Sequence, residues 1–445
     1  MSGRMSFLRE STWVVIHRLI LVVIVVGNDI LLARILGPDG KGYYTILVVT
    51  PVLLASVAAG GLDFSLNQLA HRRPARAFSI FNTAAGLGLI GGLGLASLLW
   101  FDVLGIGRAL FQGVPREFAA SLRLAALAIP TEVLFLLAGM LAVSVGRPLA
   151  FSRARIVRRG TMLGATLVAA ALFRHRMDLL LLAVLWGFVG AAIVSGAVSL
   201  LGAGFRGGGF DRNVGEVLKH AAASYPGRVA ERLQTRVDVA LLGILGSGAQ
   251  VGVYSVATGM AEAVLLISNS IATVLFGRHA EQQSALHARA LRLMVPLSAV
   301  LAASVAVGGT VLIPVLWGDR FQGGVLLLAL LLPGVVFFSL VQTVTPSLVQ
   351  AGRGGAVSVA HAVGLAGNIL LNILMIPWLG AAAASLASSA SYGITLAILL
   401  GAVRMRDGVS LRRLVVMNRE DLSIVRARLR AFLEGPVRFG QSGER

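Results

Sequence analysis

A polar stripe runs along one face of an otherwise apolar segment in the middle of the chain. Its members recur at steps of three and four residues, which is the spacing of one face of an α-helix. They are Ser224, Tyr225, Arg228, Glu231, Arg232, Thr235 and Asp238, and the opposite face is largely Val, Leu and Ala. Ionisable groups in a bilayer face a polar cavity or a partner because their burial in lipid is costly. The stripe predicts a helix that lines a cavity, the alternative being an ion-paired face that only holds two lobes together.

Arginine is the residue type in this stripe that would bind a ligand. Arg228 and Arg232 outnumber Glu231, so positive charge remains after one of them pairs. Near the N-terminus, Arg18 and Asp29 are eleven residues apart, about three turns, and share a face of a second apolar helix. Guanidinium groups stay charged and bind phosphate in a bidentate manner. Two such helices facing each other would form an electropositive chamber suited to an anionic, phosphate-bearing substrate.

Carboxylates in predicted spans are candidates for ion coupling. They are Asp63, Glu132 and Glu262. A carboxylate inside a membrane can serve as a proton or sodium site, but a lone one is as often a group that packs helices together. We expect proton or sodium coupling at most, and no bound cofactor. The chain has no cysteine and no HExxH or P-loop motif, which excludes thiolate metal sites, that zinc motif and direct use of ATP.

The composition indicates the class of protein. Of 445 residues, 56% are hydrophobic and only 13% are charged, and the mean hydropathy is +0.83. These values predict an all-α polytopic membrane protein surrounded by lipids. The net charge of +19 resides mainly in short loops and the tail. We interpret it as the arginine excess of cytoplasmic loops and expect no nucleic-acid partner.

About twelve apolar spans are predicted, with both termini in the cytoplasm. The predicted regions are an N-lobe of six helices over 1–203, a Gly-rich flexible cytoplasmic linker over 204–218, a C-lobe of six helices over 219–403 and a basic cytoplasmic tail over 404–445. A basic amphipathic helix on the inner leaflet is predicted around residues 422–433, and a solvated helical tail is the alternative.

An internal repeat supports this division. Asp29 is followed by Gly37 and a turn that ends at Gly42, and Asp238 is followed by Gly246 and a turn that ends at Gly252. Six spans separate the copies, an even number, so the halves are parallel repeats. The two aspartates are expected to cap loops or to pair with nearby arginines, namely Arg34 and Arg236.

Three motifs carry a resemblance to a known family. They lie at 33–44 (ARILGPDGKGYY), at 236–243 (RVDVALLG) with 252–254, and at 368–380 (NILLNILMIPWLG). In order and spacing they resemble the bacterial polysaccharide-unit flippases (O-antigen and exopolysaccharide, Wzx-type) of the multidrug/oligosaccharidyl-lipid/polysaccharide exporter superfamily. The resemblance covers the chain to about residue 404.

The resemblance implies a transporter, not an enzyme, with two pseudo-symmetric six-helix lobes around a central cavity. It implies alternating access that moves a polyprenyl-pyrophosphate-linked oligosaccharide from the inner to the outer leaflet. Arg18, Arg228 and Arg232 would then hold the pyrophosphate. The substrate-binding set also includes Tyr225, Glu231 and Thr235.

Two other functions are compatible with the fold. A cation-coupled drug antiporter would favour carboxylates over arginines in the cavity, and a non-transporting scaffold for glycan assembly would not need the arginines. The lipid II flippase branch usually has fourteen spans, and this chain has no apolar sequence for two more, which favours O-antigen, exopolysaccharide or teichuronic-type units. Candidate partners are a polysaccharide polymerase and glycosyltransferases, and the flippase itself is expected to be a monomer.

Overall fold

The computed structural model describes residues 2–276, 283–408, 410–417 and 421. Within these ranges, side chains are described except at 2–19, 224, 266–276, 283–288, 407, 411 and 415. The described chain contains helices and connecting turns and no β-strand, which confirms the predicted all-α class.

Seven α-helices form the first half of the chain. They are α1 (Ser2–Ala59), α2 (Leu62–Arg72), α3 (Ala77–Trp100), α4 (Ile106–Leu110), α5 (Ala119–Ser144), α6 (Pro148–Phe173) and α7 (Met177–Ala203). Eight form the second half: α8 (Val214–Gln234), α9 (Val237–Leu245), α10 (Gly248–Phe276), α11 (Gln283–Leu312), α12 (Gly324–Gln350), α13 (Gly354–Leu379), α14 (Ala381–Asp407) and α15 (Leu411–Val415). A π-helical turn, Ile313–Trp317, continues α11.

The helix α1 consists of two arms that meet at Gly37. This residue has a φ of 65°, a conformation that glycine adopts without strain, and Pro38 follows it. The Lys41 ammonium contacts the Asp29 carboxylate, although twelve residues of straight helix would hold them about 18 Å apart. The chain therefore turns back at Gly37, and each arm is a separate pass.

The described residues contain nine stretches that are long and apolar enough to cross a membrane. One of them, Ile20–Ala59, is the bent α1 and counts as two passes. The seventh pass is the broken pair α8 and α9, and α10 forms the eighth. Over the part of the chain that the structure describes, the result is twelve passes, six in each half, as the sequence predicts.

The halves share one packing scheme. In the first half α5 packs on α3 and α7, and α7 also packs on α6. In the second half α12 packs on α11 and α14, and α14 also packs on α13. Corresponding helices thus make corresponding contacts, which confirms two pseudo-symmetric lobes.

The lobes meet at one end of the molecule through the turns of the two repeats. We call this the hairpin end; it comprises the turns at 37–42 and 246–252. A side chain at Gly42 would collide with the carbonyl oxygen of Gly248, and one at Gly252 would collide with that of Pro38. The repeated glycines therefore allow the two turns to pack backbone against backbone.

The opposite, linker end holds the connection between the lobes, and here the structure differs from the prediction. Residues 214–218, predicted as linker, already belong to α8. Asp211 accepts from Arg76 at 2.6 Å, its backbone N–H donates to Thr83, and Asn82 donates to the Gly208 carbonyl. The glycine content predicted a flexible connection, but specific bonds to α3 fix it in place.

The tail begins as an extension of α14, which continues beyond residue 403 to Asp407. The buried Asp421 accepts from Arg292 at 2.6 Å, so the chain returns to α11 at this point. The amphipathic helix predicted around 422–433 lies outside the described residues.

Candidate functional site

The polar stripe of the seventh pass faces the first lobe. The pass is interrupted between α8 and α9, at Thr235 and Arg236. The Thr235 hydroxyl donates to the Arg232 carbonyl at 2.9 Å, so this predicted binding residue is engaged with its own helix. The interruption leaves Arg236 to extend between the lobes.

Arg232 joins the two lobes. It donates to Asp63 at the start of α2 over 2.5 Å, and the Asp63 side chain is only 2% exposed. A charge-assisted bond of this kind is stronger than a neutral hydrogen bond. The predicted ion-coupling residue Asp63 and the predicted substrate residue Arg232 are therefore partners, a pairing that neither segment indicates alone.

Arg228 and Glu231 pair with each other along α8 at 3.3 Å, as the alternative interpretation of the stripe proposed. The Arg228 guanidinium also lies 5.2 Å from the centre of the Phe64 ring, a cation–π contact across the lobes. Its side chain nevertheless remains 44% exposed. Tyr225 of the same face packs against Gly60.

A second charged group lies deeper between the lobes. Arg236 pairs with Glu262 of α10 at 2.6 Å, and their side chains are 38% and 43% exposed. Arg159 of α6 is also exposed and interacts electrostatically with both. Two arginines and one carboxylate thus lie near one another, and solvent can reach part of each side chain. The arrangement has a net positive charge and can bind an anion.

Glu132, another predicted coupling residue, lies away from this space. Its carboxylate accepts hydrogen bonds from both terminal guanidinium nitrogens of Arg158, a residue of the same lobe, and one of these bonds measures 2.9 Å. Both side chains are buried. Arg158 also stacks 4.4 Å from the centre of the Phe135 ring. The pair packs α5 against α6.

The repeated aspartates have structural partners, but not the predicted arginines. Asp29 accepts from Lys41 and, at 2.8 Å, from Trp317 of the other lobe. Arg34 instead donates to the carbonyl groups of residues 315 and 316.

Asp238 is bonded to neutral groups. It accepts from Tyr254 and, at 2.8 Å, from Ser388, and it is 2% exposed. Asn368 donates to Ser388, and Asn372 donates to Asn368, which extends this network along α13.

At the linker end, Arg73 donates to Glu216 of α8 at 2.6 Å. Ser65 of α2 donates to the Val217 carbonyl at 2.9 Å. The hydrogen bond from Arg73 holds the pKa of Glu216 below its usual value. We call these two contacts the linker-end clasp; together with Arg232 and Asp63 they close the lobes at this end.

A family model described as "Polysaccharide biosynthesis protein" matches residues 7–281, more than half of the chain. The chain belongs to this family. The resemblance stated from the motifs is thereby confirmed at the level of the polysaccharide biosynthesis family. No curated protein matches the sequence.

Solved structures share the fold of this polysaccharide biosynthesis protein. A lipid II flippase, MurJ, in an inward closed conformation has a TM-score of 0.74 at 15% identity over 96% of this chain and 93% of that one. An inward-facing multidrug resistance MATE family transporter of the MOP superfamily has a TM-score of 0.65 at 12% identity, covering 87% and 94%. A Vibrio cholerae MATE transporter in its bent form has a TM-score of 0.58 at 14% identity, covering 92% and 99%. At these identities the match establishes the fold alone.

In this polysaccharide biosynthesis protein, the sequence identified the polar seventh pass as a candidate site but did not indicate Arg159. The sequence analysis attributes the arginine excess to short cytoplasmic loops, whereas α6 begins at Pro148 and carries Arg158 and Arg159 inside the helix. The signal was available, because a proline that starts a helix places residue 159 three turns into it. The third arginine of the predicted chamber, Arg18, lies in α1, and its side chain is outside the described residues.

Proposed function

We propose that the protein is a flippase that moves a polyprenyl-pyrophosphate-linked oligosaccharide from the inner to the outer leaflet by alternating access. The family supports a role in polysaccharide biosynthesis, and the fold is that of flippases and transporters. The observation that carries the proposal is the group of exposed arginines between the lobes. A span exposes a guanidinium only to water, to an anion or to a partner, because lipid does not solvate it.

Arginine suits the charged part of this substrate. A pyrophosphate offers several anionic oxygens, and the planar guanidinium binds such groups through two parallel hydrogen bonds. We propose that Arg228 and Arg232, with Arg18, bind the pyrophosphate, and that Arg159 and Arg236 extend this surface deeper between the lobes. Tyr225, Glu231 and Thr235 border the same path. The lipid chain would remain in the bilayer while the sugars pass through the aqueous space.

Competition between the pyrophosphate and Asp63 for Arg232 would couple substrate binding to opening of the linker end. In the closed linker end, this arginine is bound to Asp63. A pyrophosphate that takes the guanidinium would leave the Asp63 carboxylate without its partner, and an unpaired buried charge is strongly unfavourable. Substrate binding would therefore favour the separation of α2 from α8.

For coupling to an ion, Asp238 fits better than the three carboxylates predicted from the sequence. Asp63, Glu132 and Glu262 each have an arginine partner, whereas no cation of the described residues pairs with Asp238. The side-chain oxygen of Asn372 is buried without a partner in the same network. We propose that a proton or a sodium ion binds at Asp238, where buried oxygen atoms would satisfy it.

The flippase proposal is tested by transfer of a fluorescent polyprenyl-pyrophosphate-linked oligosaccharide in liposomes that contain the purified protein. We expect the Arg18→Ala/Arg228→Ala/Arg232→Ala variant to lower the initial rate about a hundredfold, which is the loss of about 3 kcal/mol of charge-assisted bonding. The matched control is Arg116→Ala/Arg174→Ala, which removes exposed arginines of the hairpin end.

Two results would contradict the proposal. Unchanged transfer by the triple variant would remove the arginines from the mechanism. If the wild-type protein transfers cationic dyes but no lipid-linked sugar, it functions as the antiporter. If it transfers neither, it functions as the non-transporting scaffold.

The coupling site is tested in the same liposomes with an imposed sodium or proton gradient. Asp238→Asn keeps the size of the side chain and removes its charge, so we expect transfer that no longer responds to either gradient. Asp178→Asn, an exposed carboxylate outside the network, serves as the control. A gradient response that survives in Asp238→Asn and disappears in Glu262→Gln would move the site to α10.

We also propose that the protein is a monomer in the bacterial cytoplasmic (inner) membrane, with both termini and the linker end in the cytoplasm. Glycosyltransferases would supply the substrate on that side, and a polysaccharide polymerase would consume it on the other.

A further inference from the structure

The first lobe has a pocket of about 560 Å³ on its surface at the linker end, apart from the space between the lobes. It is open to solvent, since His71, Arg147 and Arg206 are exposed, and we call it the cavity. Its lining comes from the ends of four helices and from the linker: His71 of α2, Phe78 of α3, the turn 144–147 between α5 and α6, the end of α7 at 203–204, and Arg206. Among the residues that the structure describes, none of the second lobe lines it. The cavity therefore stays intact when the lobes move.

The lining is basic. Arg147, Arg206 and His71 contribute to it, and no carboxylate of the described residues does. Among the residues that the structure describes, no acidic side chain pairs with any of these three, since the nearby Asp211 and Glu216 are bound by Arg76 and Arg73. Helix starts and helix ends both meet here, so their dipoles oppose each other and the side-chain charges decide the sign. The cavity attracts anions.

The Arg147 side chain and the backbone next to Arg206 are held in position. Arg147 donates to the Gly202 carbonyl at the end of α7 over 3.2 Å, which uses one of its five N–H groups. Arg206 follows Phe205, whose ring meets those of Phe78 and Phe81 edge-on, with centroids 5.4 Å apart in each case. This aromatic anchor fixes the linker beside the cavity.

We propose that this cavity binds the phosphate group of an anionic membrane lipid. It lies where α2, α5 and α7 end and α3 and α6 begin, the level at which membrane helices meet the headgroups. Apolar side chains of Phe78, Pro74 and Val145 stand beside the basic ones, which suits a ligand that is charged at one end and apolar at the other. Basic pockets between membrane helices are known to bind such headgroups.

The consequence of binding would reach the linker-end clasp. Pro74 lines the cavity, and its neighbours Arg73 and Arg76 hold Glu216 of α8 and Asp211 of the linker. A lipid bound at His71 and Arg206 would connect the end of α2 to the linker and so stabilise the closed arrangement of that end. This role is independent of the substrate that the central space carries.

Native mass spectrometry of the full-length protein tests the site, with phosphatidylglycerol compared with phosphatidylcholine. We expect selective retention of phosphatidylglycerol, weakened about thirtyfold in Arg147→Gln/Arg206→Gln, because each basic group near a membrane surface contributes about 1 kcal/mol. The control, Arg353→Gln/Arg404→Gln, removes two exposed arginines at the same end of the other lobe, and Arg353 makes the equivalent carbonyl bond to α14.

Equal retention by the cavity variant and the wild-type protein would overturn the proposal, and so would an equal loss in the control variant. Millimolar inorganic phosphate separates the two possible sources of the phosphate group. If it displaces the lipid and by itself raises the unfolding temperature of the wild type but not of the cavity variant, the ligand is a soluble phosphate and the lipid assignment is wrong.

Discussion

In the first lobe, a buried arginine–glutamate pair holds α5 against α6, whereas in the second lobe neutral hydrogen bonds link the broken seventh pass to α13 and α14. Arg158 and Glu132 form the first arrangement. In the second, Gln234 donates to Ser391 at 2.7 Å and to Thr395 at 2.8 Å and contacts His361 at 2.9 Å.

The two arrangements differ in how readily the polar contacts inside each lobe can rearrange. Full charges that satisfy each other inside a lobe resist rearrangement, because separating them leaves one charge buried alone. A network of neutral groups can exchange protons or accept a cation at moderate cost, and in the network around Gln234 the His361 Nε2 atom is buried without a partner. The first lobe thus provides a rigid frame, and the second lobe contains the adjustable part.

The largest effect should come from the charged pair. Glu132→Ala leaves the Arg158 guanidinium buried without a partner, and we expect it to lower the free energy of unfolding by about 3–5 kcal/mol. Thermal unfolding in detergent measures this, with the exposed Glu117→Ala as the control. A loss no larger than that of the control would mean that the pair does not hold the frame. Glu132→Gln/Arg158→Met, which removes both charges, should recover part of the stability.

The neutral network should give a smaller effect. Gln234→Leu leaves the hydroxyl groups of Ser391 and Thr395 and one His361 nitrogen short of a partner, so we expect a loss of about 1–3 kcal/mol in the same unfolding assay. If it destabilises the protein as much as Glu132→Ala, the contrast between the lobes disappears.

The ion pair between the lobes, Asp63 with Arg232, should give the next smaller effect. Asp63→Asn keeps the shape of the side chain and removes the charge that binds Arg232, so the linker end should open more often. The chain has no native cysteine, so spin labels can be placed at introduced cysteines in α3 and α14, and their distance distribution measured. We expect a longer-distance population in Asp63→Asn and none in Asp178→Asn. An unchanged distribution would show that this ion pair does not restrain the lobes.

Acidification should produce the smallest effect, at the exposed linker-end clasp. The bond to Arg73 depresses the pKa of Glu216, so the closed state gains stability above the usual glutamate pKa and loses it as the pH falls through the lowered value. We expect the clasp to persist at neutral pH and to weaken below about pH 4. The same spin labels report this change. Glu216→Gln should show the weakened clasp already at pH 7; if it instead matches the wild type at every pH, the clasp has no role.

The sequence pattern predicted the features that depend on neighbouring residues, namely helix faces and turns. The three- and four-residue spacing of Arg228, Glu231 and Arg232 placed them on one face, and the glycines of the repeat indicated the turn at Gly37. Non-local partners escaped prediction, because nothing near Asp63 indicates that Arg232 lies opposite it 169 residues later. The linker was misjudged for a similar reason, since its composition gives no sign of the Thr83 and Arg76 side chains that bind Asp211.

The attachment of the linker limits how far the lobes can separate. Asp211 is fixed to α3, and α8 begins at Val214, so only two residues lie between them and the connection is three Cα–Cα steps long. Three such steps span at most about 11 Å when fully extended. The linker therefore limits the separation of the lobes. The start of α8 can move away from the Asp211 attachment on α3 by that distance and no farther unless Asp211 detaches.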